Sequence, residues 1–410
     1  MLLNDFYKNA IEGTYVIPQY SGLSIANIAS TILKHYGIAT TPLPPLNNEI
    51  FSDVMLNKSN IIFIVLDGLG YNFFSEFVKK YKKSYEMFPV TSVFPSTTAS
   101  ALPSMFTGCS PSMHGMIGYT MLLPSSGTAY NMLTMTPVNS GRVNQPINKH
   151  KLNGFINVKT IFQMLSEHGV RSVTFNREGL VDTSLSSMLY RGSHLIGYSA
   201  LSDMFLNAKK IIENMESHRW FITIYYDRID AIFHQYGVDN DMASREVKSF
   251  LSQFYDLLIS KLSSIIKDNT MVIITGDHGH VPFFRDKILI YNNTGMDNYM
   301  RMPPTGDPRA LFLHTTAENE PIISELLKRY TPFRYLMMEK KDSVTLFGPE
   351  PYHKEFYSRI GDYLLVPDFG GSYHVQGISH GNHYMKAGHG GMDINEMIVP
   401  LVYSFLNDFI

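Results

Sequence analysis

The sequence predicts an α/β protein built on a largely parallel sheet, and three observations carry that expectation. Short apolar runs rich in β-branched residues recur along the chain, as strands buried on both faces should. Segments with apolar residues at helical spacing alternate with them, the pattern of a sheet with helices on both sides. Three of the runs are followed closely by an Asp: Asp67 in IIFIVLDG, Asp230 in FITIYYDRID and Asp277 in MVIITGDHGH. In an open α/β sheet the loops at the carboxyl ends of the strands share one crevice, so side chains far apart in sequence converge there.

In chain order, Leu23 to Tyr36 carries apolar residues at helical spacing and ends at Gly37, a residue suited to a helix C-cap. A Pro-rich connector, TTPLPPL, follows, and Ile61 to Leu66 reads as the first buried strand. Further strands are predicted over Arg171 to Phe175, Phe221 to Tyr226, Met271 to Thr275 and Arg309 to His314, and helices over Tyr71 to Lys83, Val158 to His168 and Asp241 to Ile266. The last helix is read from one stripe, Ala243, Val247, Phe250, Phe254, Leu258 and Leu262. From about Pro282 to Phe347 the rhythm breaks into Asn-, Gly- and Pro-rich stretches. A strand, a helix and a second strand at SVTLFG then follow, so this span reads as an inserted cap or as a peripheral elaboration of the same core. No internal repeat is evident.

Composition narrows the class. With 410 residues and 44% hydrophobic content the chain can bury a large core. Thirty-four Lys and Arg against 36 Asp and Glu give a formal charge of -2, so no overall field argues for nucleic acid or an anionic membrane as partner. The single Cys109 excludes an intramolecular disulfide framework and a Cys-rich metal site. The N-terminus lacks a basic region followed by an apolar one, and no apolar run approaches the ~20 residues needed to span a bilayer, so the expectation is a soluble, cytoplasmic protein.

Chemistry concentrates in a few segments. The stretch VFPSTTASALPSMFTGCSPSMHGMIGY places hydroxyls before a helix starting near Thr98. A helix N-terminus favours a bound anion or a deprotonated hydroxyl, and a threonine held there by a metal can act as a nucleophile. Taken alone, such a cluster is more often a simple cap. Asp230 and His234 are four apart, so one helical turn presents both on one face, whereas Asp277 and His278 need a bent loop. Carboxylate plus imidazole suits zinc, and also iron or manganese. One such pair is usually a hydrogen-bonded pair; several at strand ends, with a late His in AGHGG, make a metal site the stronger reading.

Together these segments resemble the alkaline phosphatase superfamily, most closely its type I phosphodiesterase/nucleotide pyrophosphatase branch, from the first strand to the C-terminus. In that branch the nucleophilic Thr follows a Phe-Pro-x-x pattern, with Thr-Gly and then His-Gly downstream. Phe94-Pro95-Ser96-Thr97-Thr98, Thr107-Gly108 and His114-Gly115 fit without a gap and select Thr98 over Thr97. The tail HGGMDINEMIVPL and the early PQYSGLSIANI look like prokaryotic members. The resemblance implies a three-layer αβα sandwich over residues 1–410, with about 282–347 as the inserted smaller cap. It also implies two divalent metal ions, zinc first and manganese or iron as alternatives. By carry-over, Asp67, Thr98, Asp277 and His278 hold one ion and Asp230, His234 and His389 the other. The implied reaction is hydrolysis of a phosphoric ester or phosphoanhydride through a phosphothreonine intermediate, on a small-molecule substrate such as a nucleotide.

Two positions depart from the branch. An aromatic residue usually follows the nucleophile and an Asn falls twenty-one positions after it; here those positions hold Ala99 and Tyr119, and Tyr119 becomes the candidate substrate-binding donor. A cluster of His374, His380 and His383 reads first as a solvated loop, with pocket lining as its functional alternative. His114 and His280 read as local structure, and Arg228 and Arg309 as surface ion pairs ahead of phosphate ligands. A phosphomonoesterase or a phosphonate hydrolase is the alternative within the same chemistry, and a catalytically silent metal-binding protein the alternative of another class. The natural substrate, native metal, oligomeric state and pathway are not legible.

Overall fold

A computed structural model describes residues 15–39, 41–51, 60–81, 86–138, 155–215, 218–376 and 385–409. Its centre is a seven-stranded sheet in the order Met87–Thr91, Ile398–Phe405, Thr270–Thr275, Asn60–Leu66, Trp220–Tyr226, Arg171–Arg177, His194–Tyr198. Only Ile398–Phe405 runs against its neighbours; the other six strands point one way. The three strands that precede Asp67, Asp230 and Asp277 are adjacent at the middle of this sheet, with Leu66 opposite Tyr226 and Val65 opposite Thr275. The three acids therefore leave the sheet at one edge.

The central strand is buried along its whole length and feeds two apolar layers by simple alternation. Ile61, Phe63 and Val65 join one layer with the helices Ile28–His35, Thr98–Thr107 and Ile161–Glu167. Ile62, Ile64 and Leu66 join the other with Tyr71–Lys80, Leu201–Asn214 and Asp241–Gln253. The result is the three-layer α/β arrangement that the sequence predicts, with strand and helix ends shifted by a few residues.

Two elements differ from expectation. The helix predicted over Asp241 to Ile266 stops at Gln253, continues as a wide π-type turn over Phe254–Leu258 and a 3-10 turn over Ile259–Lys261, and restarts over Ser264–Asp268 behind the Ser263 cap. The stripe itself explains the break: from Phe250 on it advances by four residues at a time, and each such step overshoots a 3.6-residue turn by about 40°. A wider turn absorbs that drift and keeps both Phe254 and Leu258 fully buried. The strand expected at SVTLFG is instead the 3-10 turn Val344–Phe347, while the strand lies earlier, at Tyr335–Glu339. A run this short does not reveal its period. Here Phe347 is held by aromatic contacts with Phe94, Phe312 and Phe356 rather than by a ladder.

A second, antiparallel sheet runs in the order Tyr335–Glu339, Tyr363–Pro367, Ala310–Leu313, Thr305–Asp307, Thr120–Leu123, Thr128–Asn131, Thr136–Pro137. The span 282–347 supplies three of these strands, and the hairpin after the Thr98–Thr107 helix supplies three more. Phe312, Leu364 and Val366 join the first apolar layer, whereas Leu311, Leu313 and Leu365 form a separate small core with Ile323 and Leu327. This sheet abuts the same edge of the molecule as the three acids. Thr305–Asp307 ends at Asp307, whose carboxylate accepts the Tyr119 N–H at 3.1 Å.

Candidate metal centre

Each candidate ligand is placed by an element end. Asp67 directly follows the central strand, and its own N–H is tied to the Tyr226 carbonyl at 2.9 Å. Asp277 and His278 follow Thr270–Thr275, where Asp277 Oδ1 accepts N–H groups from Gly68 and His278, both at 3.0 Å. Asp230 and His234 stand one turn apart on the helix Arg228–Tyr236. His389 follows the short Val281–Pro282 and Ala387–Gly388 pairing, with its Nδ1 3.0 Å from the Ser96 carbonyl. Thr98 is the first residue of its helix, behind Thr97 in extended conformation.

These residues converge. His278 Nε2 lies 3.1 Å from Thr98 Oγ1, 3.4 Å from Asp277 Oδ2 and 3.5 Å from Asp67 Oδ1. On the other side, Asp230 Oδ1 is met by Nε2 of His280 at 3.0 Å, of His234 at 3.1 Å and of His389 at 3.6 Å. The His278 and His389 rings stack at 3.6 Å between the two groups. All seven ligands expected from the sequence, Asp67, Thr98, Asp230, His234, Asp277, His278 and His389, thus belong to one constellation. His280, read from the sequence as local structure, joins it as an eighth member.

Three observations fit this set to bound cations. Asp67 Oδ1, Asp230 Oδ1, Asp277 Oδ2 and both ring nitrogens of His280 are buried without a hydrogen-bond partner, and leaving such atoms unmatched is costly. Donors about 2.0–2.1 Å from a tetrahedral zinc lie about 3.3 Å from one another, and the separations from Asp230 Oδ1 and from His278 Nε2 to their neighbours run from 3.0 to 3.6 Å. Charge points the same way: burial, then the neighbouring Asp277 and Asp230 carboxylates, hold the Asp67 carboxyl well above its ordinary range. Burial works against the Asp230 charge, yet the His234 and His280 imidazoles beside it outweigh that effect and hold its carboxyl well below the usual range. His234, buried as well, is pushed up by the same Asp230 contact.

The centre opens into a cavity of about 350 Å³ lined by Asp67, Thr98, Asp230, His234 and His389 on one side. Leu102, Leu133, Leu180, Leu185, Leu189 and Tyr190 provide an apolar wall. Tyr119, the candidate substrate-binding donor, lines it too, with Asn131 donating to its hydroxyl at 2.5 Å. Arg177 lines the cavity with its Nε 2.8 Å from Asp227 Oδ2. Asp307 is a further lining residue that the sequence did not announce; burial pushes its carboxyl up to about 7, against the opposing pull of the Tyr119 N–H and the Thr97 hydroxyl.

Other candidates fall outside. Arg309 is fully buried in an ion pair with Glu396 at 2.6 Å and does not line the cavity. Arg228 stands half-exposed beside Asp227. His114 is neutral core structure, its Nε2 2.9 Å from Ser104 Oγ and its Nδ1 accepting the Met116 N–H; burial, then His353, push it down to about 3. His374 ends the strand Ser372–His374 away from the cavity lining, and His380 and His383 lie outside the described residues. Among the described residues no helix is long and apolar enough to cross a membrane.

The type I phosphodiesterase/nucleotide pyrophosphatase family matches residues 61–393. Among curated proteins no match is found. Human ectonucleotide pyrophosphatase/phosphodiesterase 5 is similar in structure, with a TM-score of 0.60 at 17% identity over 84% of this chain and 87% of that one. An inactive threonine-to-alanine variant of the murine protein, in complex with AMP, gives 0.59 at 14% over 83% and 87%. Phosphonoacetate hydrolase from Sinorhizobium meliloti 1021, in complex with phosphonoformate, gives 0.58 at 17% over 83% and 89%.

Proposed function

Because the chain belongs to the type I phosphodiesterase/nucleotide pyrophosphatase family, a family of hydrolases, we propose that it is a two-metal phosphodiesterase in which Thr98 is the nucleophile. Two divalent cations, zinc first among them with manganese or iron compatible, are held by Asp67, Thr98, Asp277 and His278 on one side and by Asp230, His234 and His389 on the other. The single observation that carries this reading is the position of Thr98 Oγ1, 3.1 Å from His278 Nε2 at a helix start and on the wall of the cavity. The inactivity of the murine relative's threonine-to-alanine variant supports it.

When bound, the cations supply Lewis acidity and neutralise charge on the phosphoryl oxygens. Thr98 Oγ attacks phosphorus while the bond to the leaving alcohol breaks, and water then cleaves the Oγ–P bond and regenerates the hydroxyl. The positive end of the Thr98–Thr107 helix lies beside the attacking oxygen, where it favours negative charge. The backbone around Thr98 is held through its neighbours: Ser96 donates to the Gly391 carbonyl at 2.8 Å and its own carbonyl meets His389. Tyr119 offers its hydroxyl to the phosphoryl group or to the alcohol moiety.

The wall and its charge favour a diester over a monoester. A monoester carries an additional charge and calls for an uncommitted cation, and among the described lining residues Arg177 is the only Lys or Arg and is already paired with Asp227. The leucines and Tyr190 suit the organic part of a diester, a nucleoside among others. Phosphonate cleavage is the second reading, on the similarity to phosphonoacetate hydrolase. Steady-state hydrolysis of bis-p-nitrophenyl phosphate, p-nitrophenyl phosphate and phosphonoacetate by metal-stripped and zinc- or manganese-loaded protein tests the reading. Metal-dependent diester cleavage that falls by ~10³-fold or more in Thr98→Ala is expected. Unchanged turnover in that variant contradicts the nucleophile, and preference for the monoester or phosphonate contradicts the substrate class.

A further inference from the structure

We propose that His280 is a fourth protein ligand of the Asp230 ion site, beside Asp230, His234 and His389. This rests on the metal-centre reading above.

Four donors, one each from Asp230, His234, His280 and His389, lie within 4.8 Å of one another. His280 makes the shortest approach of the three imidazoles to Asp230 Oδ1, at 3.0 Å. Its side chain is 1% exposed and neither ring nitrogen has a hydrogen-bond partner. A desolvated imidazole in that condition is unfavourable, and coordination of Nε2 satisfies one of its two nitrogens.

The placement is built. His280 is two positions beyond His278 in the non-helical turn after Thr270–Thr275, and the two rings stand 5.5 Å apart. The turn is fixed by the Gly279 N–H on the Glu396 carbonyl at 2.9 Å. Phe233 packs against the His280 ring at 4.9 Å. Gly68, at φ +77, leaves the space the ring needs, since a Cβ there would stand 2.6 Å from His280 Cε1.

His280 also comes from a different side than its partners. Asp230, His234 and His389 line the main cavity, whereas His280 lines a separate cavity of about 380 Å³ together with Gly68 and Phe233. It therefore completes the shell from behind. Four protein donors match the number that tetrahedral zinc takes.

The test is ion retention and spectroscopy, independent of turnover. Wild type and His280→Met, a substitution that keeps an apolar filling of the site, are stripped and reloaded with zinc or with cobalt. Zinc content is measured after dialysis against graded chelator, and the visible spectrum of the cobalt form reports coordination. Thermal unfolding of the metal-free forms verifies that the variant folds. The expected result is that one bound zinc is held roughly tenfold or more weakly in His280→Met than in wild type, with a changed cobalt spectrum. Equal retention and identical spectra in a folded variant overturn the fourth ligand while leaving the metal centre intact. A wild type that takes up no ion overturns both.

Discussion

At the scale of single residues, the site depends on groups that fix the reactive ones. Asp307 is one: it accepts the Tyr119 N–H, and the Thr97 hydroxyl next to Thr98 reaches it too. Its folded pKa is raised from 3.8 to about 7, so folding binds a proton. The associated stability is fully present below the unfolded value and is lost as pH rises through about 7. In Asp307→Asn, which keeps an acceptor for the Tyr119 N–H, the thermal midpoint of the metal-free protein should lose that dependence. Relative to wild type the variant should gain stability between about pH 4 and pH 7, and parallel midpoint curves would contradict the assignment. The residues that the sequence revealed were those whose spacing was itself informative, from Phe94 to Gly115 and Asp230 to His234. His280 and Asp307 were not legible because a His two positions after another His, or an Asp before a Pro, acquires meaning only from the turn that aims it. The alternation of His278 and His280 was the one available signal.

At the scale of elements, the centre is a property of strand ends. Three adjacent parallel strands deliver their acids to one edge, and this was readable because each strand was a buried apolar run with its chemistry just beyond it. What was not readable was where packing overrides period. The wide turn at Phe254–Leu258 answers a stripe that drifts around the helix, and the SVTLFG run was taken by aromatic packing. The buried Arg309–Glu396 pair joins the second sheet to the turn before the last strand, with Glu396 also accepting the Gly391 and Asp393 N–H groups. Removing one partner strands the other charge in the core. Arg309→Met should therefore cost about 3–5 kcal/mol in urea unfolding, and a loss under about 1 kcal/mol would show that the pair is dispensable.

At the scale of the whole molecule, the ends of the central sheet carry the candidate metal-binding groups and the antiparallel sheet contributes Asp307, with Tyr119 just before its Thr120–Leu123 strand, so the cavity exists only where the two meet. Folding brings together carboxylates that repel one another, and bound cations should relieve that strain globally. Zinc at about 100 times its dissociation constant should stabilise the protein by about 2.7 kcal/mol per site; a thermal midpoint indifferent to zinc and manganese would contradict a metal centre. The overall architecture was legible in the alternation of strands and helices. The second sheet was not, because its strands are short and gathered from distant stretches such as 120–137, 305–313 and 363–367. The most direct test of the central claim is to quench the metal-loaded protein during turnover of a diester and map any phosphoryl adduct by peptide mass spectrometry. The account predicts a transient adduct on Thr98 that is absent from Thr98→Ala, and an adduct on another residue, or turnover with none trapped under rapid quench at acid pH, would contradict it.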